Sequence, residues 1–102
     1  MNAAEEYGKN RVGVNIRIRY EYDPELSLRD KGTLLLCLAL LKENERPTIE
    51  NIKCRSVDAE TGIRSSLTHL AELGYYKAIK YKKDGKGFDW RYEATDTREV
   101  QG

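Results

Sequence analysis

Hydrophobic and polar residues change rhythm several times along this chain. From position 12 they alternate strictly. Val12, Val14, Ile16, Ile18, Tyr20 and Tyr22 fall on one side; Gly13, Asn15, Arg17, Arg19 and Glu21 fall on the other. Such a period of two predicts a half-buried strand, which Asp23-Pro24 ends. Helical spacing follows. Ser27 with Asp30 three residues on is a capping arrangement, and Leu26 is placed as its staple. Leu28, Leu35, Leu38 and Leu41 recur at helical intervals, joined by Leu34 and Cys37. A helix apolar on more than one side is expected at the centre of a core. The polar stretch 42–46 and Pro47 stop it.

Thr48 is the next N-cap, opening a short helix through Ile49 and Ile52 to about Cys54. A tight turn at Arg55-Ser56-Val57 leads to Asp58, read as a further N-cap with Thr61 three residues on. Ile63, Leu67, Leu70, Ala71 and Gly74 then trace one helical stripe, with Leu73 beside it. Thr61, Arg64, Ser65, Thr68 and Glu72 make the opposite face, and Gly74 suits a C-terminal cap. Two alternating aromatic segments, 75–81 and 88–92, surround a Gly-rich turn and predict a β-hairpin. The expected architecture is α+β: a three-helix core with an N-terminal strand and a C-terminal hairpin. It divides into a flexible tail over 1–10, one domain over 11–94 and a flexible tail over 95–102. A chain of 102 residues with 39% hydrophobic side chains supports one modest core and no large ligand cavity.

Charge adds what periodicity does not show. The chain is balanced, with 18 basic and 17 acidic residues. Residues 75–92, however, carry six basic side chains against Asp84 and Asp89, a local net charge of +4. A basic hairpin in a neutral protein concentrates attraction for a polyanion on one face. The plainer reading is a solvated hairpin whose lysines discourage edge pairing. No apolar run exceeds the eight residues 34–41, so no membrane span is expected. The N-terminus lacks a basic start and an apolar middle, and Cys37 and Cys54 fit no disulfide or metal spacing. A cytoplasmic protein with reduced thiols follows.

Two helices joined by a tight turn form a helix-turn-helix unit, and a hairpin directly after the second helix is the wing of a winged helix. The second helix would present short polar groups and one guanidinium to base edges, and Lys82, Lys83 and Lys86 would meet phosphates.

The stretch Ile63-Arg64-Ser65-Ser66-Leu67-Thr68-His69-Leu70-Ala71-Glu72-Leu73-Gly74-Tyr75-Tyr76 resembles the recognition helix of the winged helix-turn-helix superfamily. Leu26-Ser27-Leu28-Arg29-Asp30-Lys31-Gly32, and Thr48-Ile49-Glu50 fifteen residues ahead of Ile63, resemble more narrowly the N-terminal domain of Firmicute phage and plasmid replisome-organiser or replication-initiator proteins. The resemblance covers residues 12–94. It departs near Lys53 and Ser56, where that group usually has Ala and Gly, and the second domain usual in that group is not expected within these 102 residues, which read either as a fragment or as a domain acting alone. It implies sequence-specific binding of double-stranded DNA, in transcription regulation or replication initiation of a phage, plasmid or other mobile element. The matching contact positions are Thr48, Thr61, Arg64, Ser65, Thr68, Lys82, Lys83 and Lys86. Arg64 is the candidate guanine reader. Asp58 and Glu60, at the start of the same helix, oppose phosphate binding unless Glu60 accepts from a cytosine or both only cap.

The alternative is a winged-helix adaptor that binds a protein and not DNA. Two readings of the N-terminal strand stay open: a third strand beside the wing, or a strand that forms a homodimer. The remaining chemistry is sparse. His69 is the single histidine and is expected as a satisfied helix-face residue. Both cysteines are expected in the core, Trp90 and Tyr92 as packing between wing and core, and Asp84 and Asp89 as turn formers. Tyr76 or Tyr81 could face a phosphate. No nucleophile, base and orienting group occur together, so neither an enzyme nor a metal or small-molecule cofactor is expected.

Overall fold

A capping box starts the first helix as its sequence requires. In the computed structural model, which describes residues 15–101, the Ser27 hydroxyl accepts from the Asp30 N–H, and the Asp30 carboxylate accepts from the Ser27 N–H. Helix α1 spans Leu28–Lys42, α2 Ile49–Lys53 and α3 Glu60–Leu73. Strands are β1 (Asn15–Arg19), β2 (Tyr76–Lys82), β3 (Phe88–Ala94) and β4 (Thr97–Gln101). The protein is therefore α+β, with three helices and two separate two-stranded antiparallel sheets, β1–β4 and β2–β3.

The core lies where the three helices meet. Leu34, Cys37 and Leu40 of α1, Ile52 of α2, and Ile63, Leu67 and Leu70 of α3 are buried together with Tyr20, Leu26, Tyr75 and Tyr76. This corrects the reading of α1: Leu28 is 88% and Leu35 56% exposed. The helix is apolar nearly all round, but its buried stripe runs through positions 30, 33, 34, 37 and 40, with Leu36 and Leu38 partly buried beside it. Cys54 follows α2 at its C-cap and is exposed, so only Cys37 is a core cysteine. Burial pushes the Cys37 thiol up to about 12.

Thr48 caps α2 as expected, its hydroxyl accepting from the Asn51 N–H at 3.2 Å. Asp58 does not cap α3. The helix starts two residues later, with Ala59 at the N-cap and no side-chain bond there; the Asp58 N–H donates instead to Ser56 Oγ. Gly74 ends α3 in the left-handed region at φ +94°, where a Cβ is disfavoured.

The alternating segment is shorter than its pattern. Of residues 12–22, positions 12–14 lie outside the described residues. A strand runs only to Arg19, and a 3₁₀ turn takes Tyr20–Tyr22. That turn rotates the chain, so Tyr20 is buried while Tyr22 is exposed. The expected tail over 1–10 also lies outside the described residues. Residues 97–101, expected as a loose end, instead form β4 and pair with β1, Ile16 opposite Val100 and Ile18 opposite Arg98. β1 is therefore not a third strand of the hairpin sheet.

The C-terminal segment is held by a buried cluster. Asp23 is fully buried, and its carboxylate accepts from the Tyr75 hydroxyl at 2.8 Å and from two nitrogens of Arg98. Arg98 also reaches Glu25 at 2.6 Å. The guanidinium holds the Asp23 carboxyl down to about 2, while burial and the hydrogen bond to the Asp23 carboxylate push the Tyr75 phenol up to about 12. A second tie joins α1 to α3: His69 Nδ1 lies 2.7 Å from Asp30, and Arg29 donates to Ser66 at 3.2 Å. Burial pushes the Asp30 carboxyl up, but hydrogen bonds from His69, Ser66 and Ser27 outweigh it and leave it below its ordinary value. Among the described residues no helix is long and apolar enough to cross a membrane.

Candidate nucleic-acid interface

The buried stripe Ile63, Ser66, Leu67 and Leu70 fixes the rotation of α3. With that stripe and Ser66 turned to α1, Thr61, Arg64, Ser65, Thr68 and Glu72 face solvent. The expected polar face is thus outward. Two of its groups are engaged locally. Arg64 pairs with Glu60 one turn back at 3.0 Å, and the Thr68 hydroxyl donates to the Arg64 carbonyl at 2.9 Å. Glu60, anticipated as a repulsive charge, is thereby neutralised by Arg64. Asp58 is exposed beside it.

The hairpin continues from α3 through Gly74 and Tyr75. Its register places Tyr76 opposite Ala94, Ala78 opposite Tyr92, Lys80 opposite Trp90 and Lys82 opposite Phe88. Cross-strand partners share a face, so these eight side chains form one side of the ribbon. At its base Tyr76 is buried, stacks tilted against Tyr92 at 6.4 Å, and donates its hydroxyl to the Pro47 carbonyl. Tyr76 is therefore unavailable to a phosphate. Tyr81 bonds Asp89 through its hydroxyl. Farther out the same side carries Lys80, Lys82, Phe88 and Trp90, all exposed. Trp90 is 43% exposed, so of the expected packing pair only Tyr92 packs.

The hairpin is also tied from the side. Asp89 sits within β3 and is no turn former. It accepts from both Arg46 terminal nitrogens at 3.1 and 3.2 Å and from Tyr81, and Arg46 holds its carboxyl down to about 2. At the tip, the Lys83 N–H donates to the Gly87 carbonyl and the Lys86 N–H to the Lys83 carbonyl. Gly85 and Gly87 both have positive φ there. Lys82, Lys83 and Lys86 are exposed around this turn.

Between α3 and the ribbon lies a cleft of about 700 Å³, lined by Thr48, Glu50, Glu60, Arg64, Trp90 and Tyr92 among others. A neighbouring one joins Arg64 and Thr68 to Ala78. The fold thus brings Thr48, Arg64 and Thr68 together beside the hairpin. Thr61 and Ser65 are on the same helix face but line neither cleft, and the three tip lysines stand beyond both. The cleft holds two carboxylates for one guanidinium, so positive charge is concentrated on the ribbon and not continuous from Arg64 outward. Sequence reasoning missed Lys80, Phe88 and Trp90 as members of this face; the alternation within 76–82 and 88–94 was the available signal. Among the described residues no group of three or more His, Cys, Asp or Glu could hold a metal. No protein-family model, curated protein or solved structure significantly matches the chain.

Proposed function

We propose that the protein is a winged-helix domain that binds double-stranded DNA, with α3 in the major groove and the β2–β3 hairpin as its wing, in transcription regulation or replication initiation of a mobile element. One observation carries this reading: the hydroxyl-and-guanidinium face of α3 is exposed and borders the same cleft as a lysine-tipped ribbon. Arg64 would exchange Glu60 for a guanine edge, and Glu60 could then accept from a cytosine amino group. Lys82, Lys83 and Lys86 would neutralise phosphates and supply affinity without sequence information. The role in transcription or replication rests on the resemblance alone, and no catalytic activity is part of the proposal.

Selection of bound duplexes from a random pool, followed by gel shifts, tests it. Arg64→Ala should relax the selected consensus, whereas Lys83→Ala should weaken all sequences alike and reduce the salt slope by about 1. Absence of duplex binding by folded protein at low salt would overturn the proposal. The Arg64–Glu60 pair and the second carboxylate, Glu50, favour one other reading, an adaptor whose α3 face meets a protein. That reading expects a protein partner lost on Arg64→Ala and no salt-dependent DNA affinity.

A further inference from the structure

A wing that only meets phosphates needs lysines; it gains nothing from aromatic rings held in water. This ribbon has both on one face. Trp90 is 43% and Phe88 64% exposed, and their cross-strand partners are Lys80 and Lys82. Leaving such rings in solvent forgoes part of the stabilisation that burying a large apolar side chain gives. The rings are not loose. The Lys80 ammonium lies 4.6 Å from the Phe88 ring centroid, and the backbone N–H of Trp90 donates to the Asp89 carboxylate, which Arg46 and Tyr81 hold, so the strand beneath the indole is anchored. Trp90, with Tyr92, lines two concavities: the cleft shared with Arg64, and a second of about 470 Å³ lined also by Glu45, Arg46, Tyr81 and Arg91.

We propose that the hairpin face carrying Lys80, Lys82, Phe88 and Trp90 binds unpaired nucleotides, the bases stacking on the rings and the phosphates meeting the lysines. This rests on the nucleic-acid reading above and narrows its substrate to duplex DNA adjoining a single strand. Exposed aromatic rings interleaved with cations suit single strands because every base has a π-face, whereas bases in a closed duplex are already stacked on one another.

Trp90 is the single tryptophan of the chain, so its fluorescence reports the site directly. The experiment titrates the full chain at low salt with a blunt duplex, the same duplex bearing a short thymidine tail, and the tail alone. The tailed duplex should bind about tenfold tighter than the blunt one and should quench Trp90, while the blunt duplex leaves the emission nearly unchanged. Trp90→Ala should abolish the tenfold advantage of the tailed over the blunt duplex; Trp90→Phe should retain most of it. Phe88→Ala, at the more exposed ring, gives the same readout should Trp90→Ala fold poorly. Equal affinity for tailed and blunt duplex, or equal weakening of both by Trp90→Ala, overturns this inference and leaves the duplex reading intact. Quenching and binding by the tail alone, with no blunt-duplex binding, sinks the duplex reading and leaves this one standing. No binding by any of the three refutes both.

Discussion

Replacing Asp23 by Asn removes one charge from a site that has no access to water. In the native protein the Asp23 carboxyl is held at about 2 against an ordinary 3.8, chiefly by Arg98. That difference corresponds to about 2 kcal/mol of stability at neutral pH. Its sign is set by the depression. The contribution is complete above about pH 5, fades as the unfolded carboxyl protonates near 4, and is lost below about 2. Asp23→Asn should therefore lower the urea midpoint at pH 7 by about 1–2 M, and the gap should narrow steadily on acidification. Asp30 and Asp89 are also depressed below the ordinary carboxylate value, so the informative quantity is the difference between the two proteins at each pH. Arg98→Ala should cost more, about 3 kcal/mol or above, because it leaves the buried carboxylate with only Tyr75 and a backbone N–H. The double variant should lose less than the sum of the two. Urea unfolding followed by far-ultraviolet circular dichroism between pH 7 and pH 2.5 measures this. A gap independent of pH, or a wild-type midpoint for Asp23→Asn, would refute the assigned role of the cluster.

Three further outcomes follow from local geometry. Ser27→Ala removes half of the α1 capping box and should lower stability by about 1 kcal/mol, read as a drop of about 4–8 °C in Tm. Gly74→Ala places a Cβ at φ +94° with no neighbour in its way, so conformational strain alone should cost roughly 1 kcal/mol by the same assay. A thiol reagent near neutral pH should label Cys54 at once and Cys37 only on unfolding, because one is exposed and the other is buried with its thiol pushed up to about 12. Mass spectrometry of native and denatured samples separates the two sites.

Comparison of particular elements shows where local pattern suffices. Ser27, Thr48 and Gly74 mark helix ends through bonds and dihedrals that involve only near neighbours, and all three act as their residue types predict. The N-cap of α3 falls one residue later than expected, at Ala59, where the loop holds the Asp58 N–H on Ser56 Oγ. The outward face of α3 was legible because its stripe has one apolar side. The α1 faces were not: with leucines on most of its circumference, periodicity gives no preference, and Leu28 and Leu35 end in solvent.

By its sequence alone this chain determines the helices, the hairpin and its turn, the basic stretch over 75–92, and the polar face that α3 turns outward. These depend on propensity, capping and spacing over a few residues, where the interacting groups are already adjacent. Tertiary structure alone decides that β4 pairs with β1 some 80 residues away, that Asp23 is buried against Arg98 and Tyr75, and that Trp90 joins Arg64 around one cleft. The physical reason is that burial and partner choice at long range depend on which surfaces meet when the core closes, and no local pattern carries that outcome.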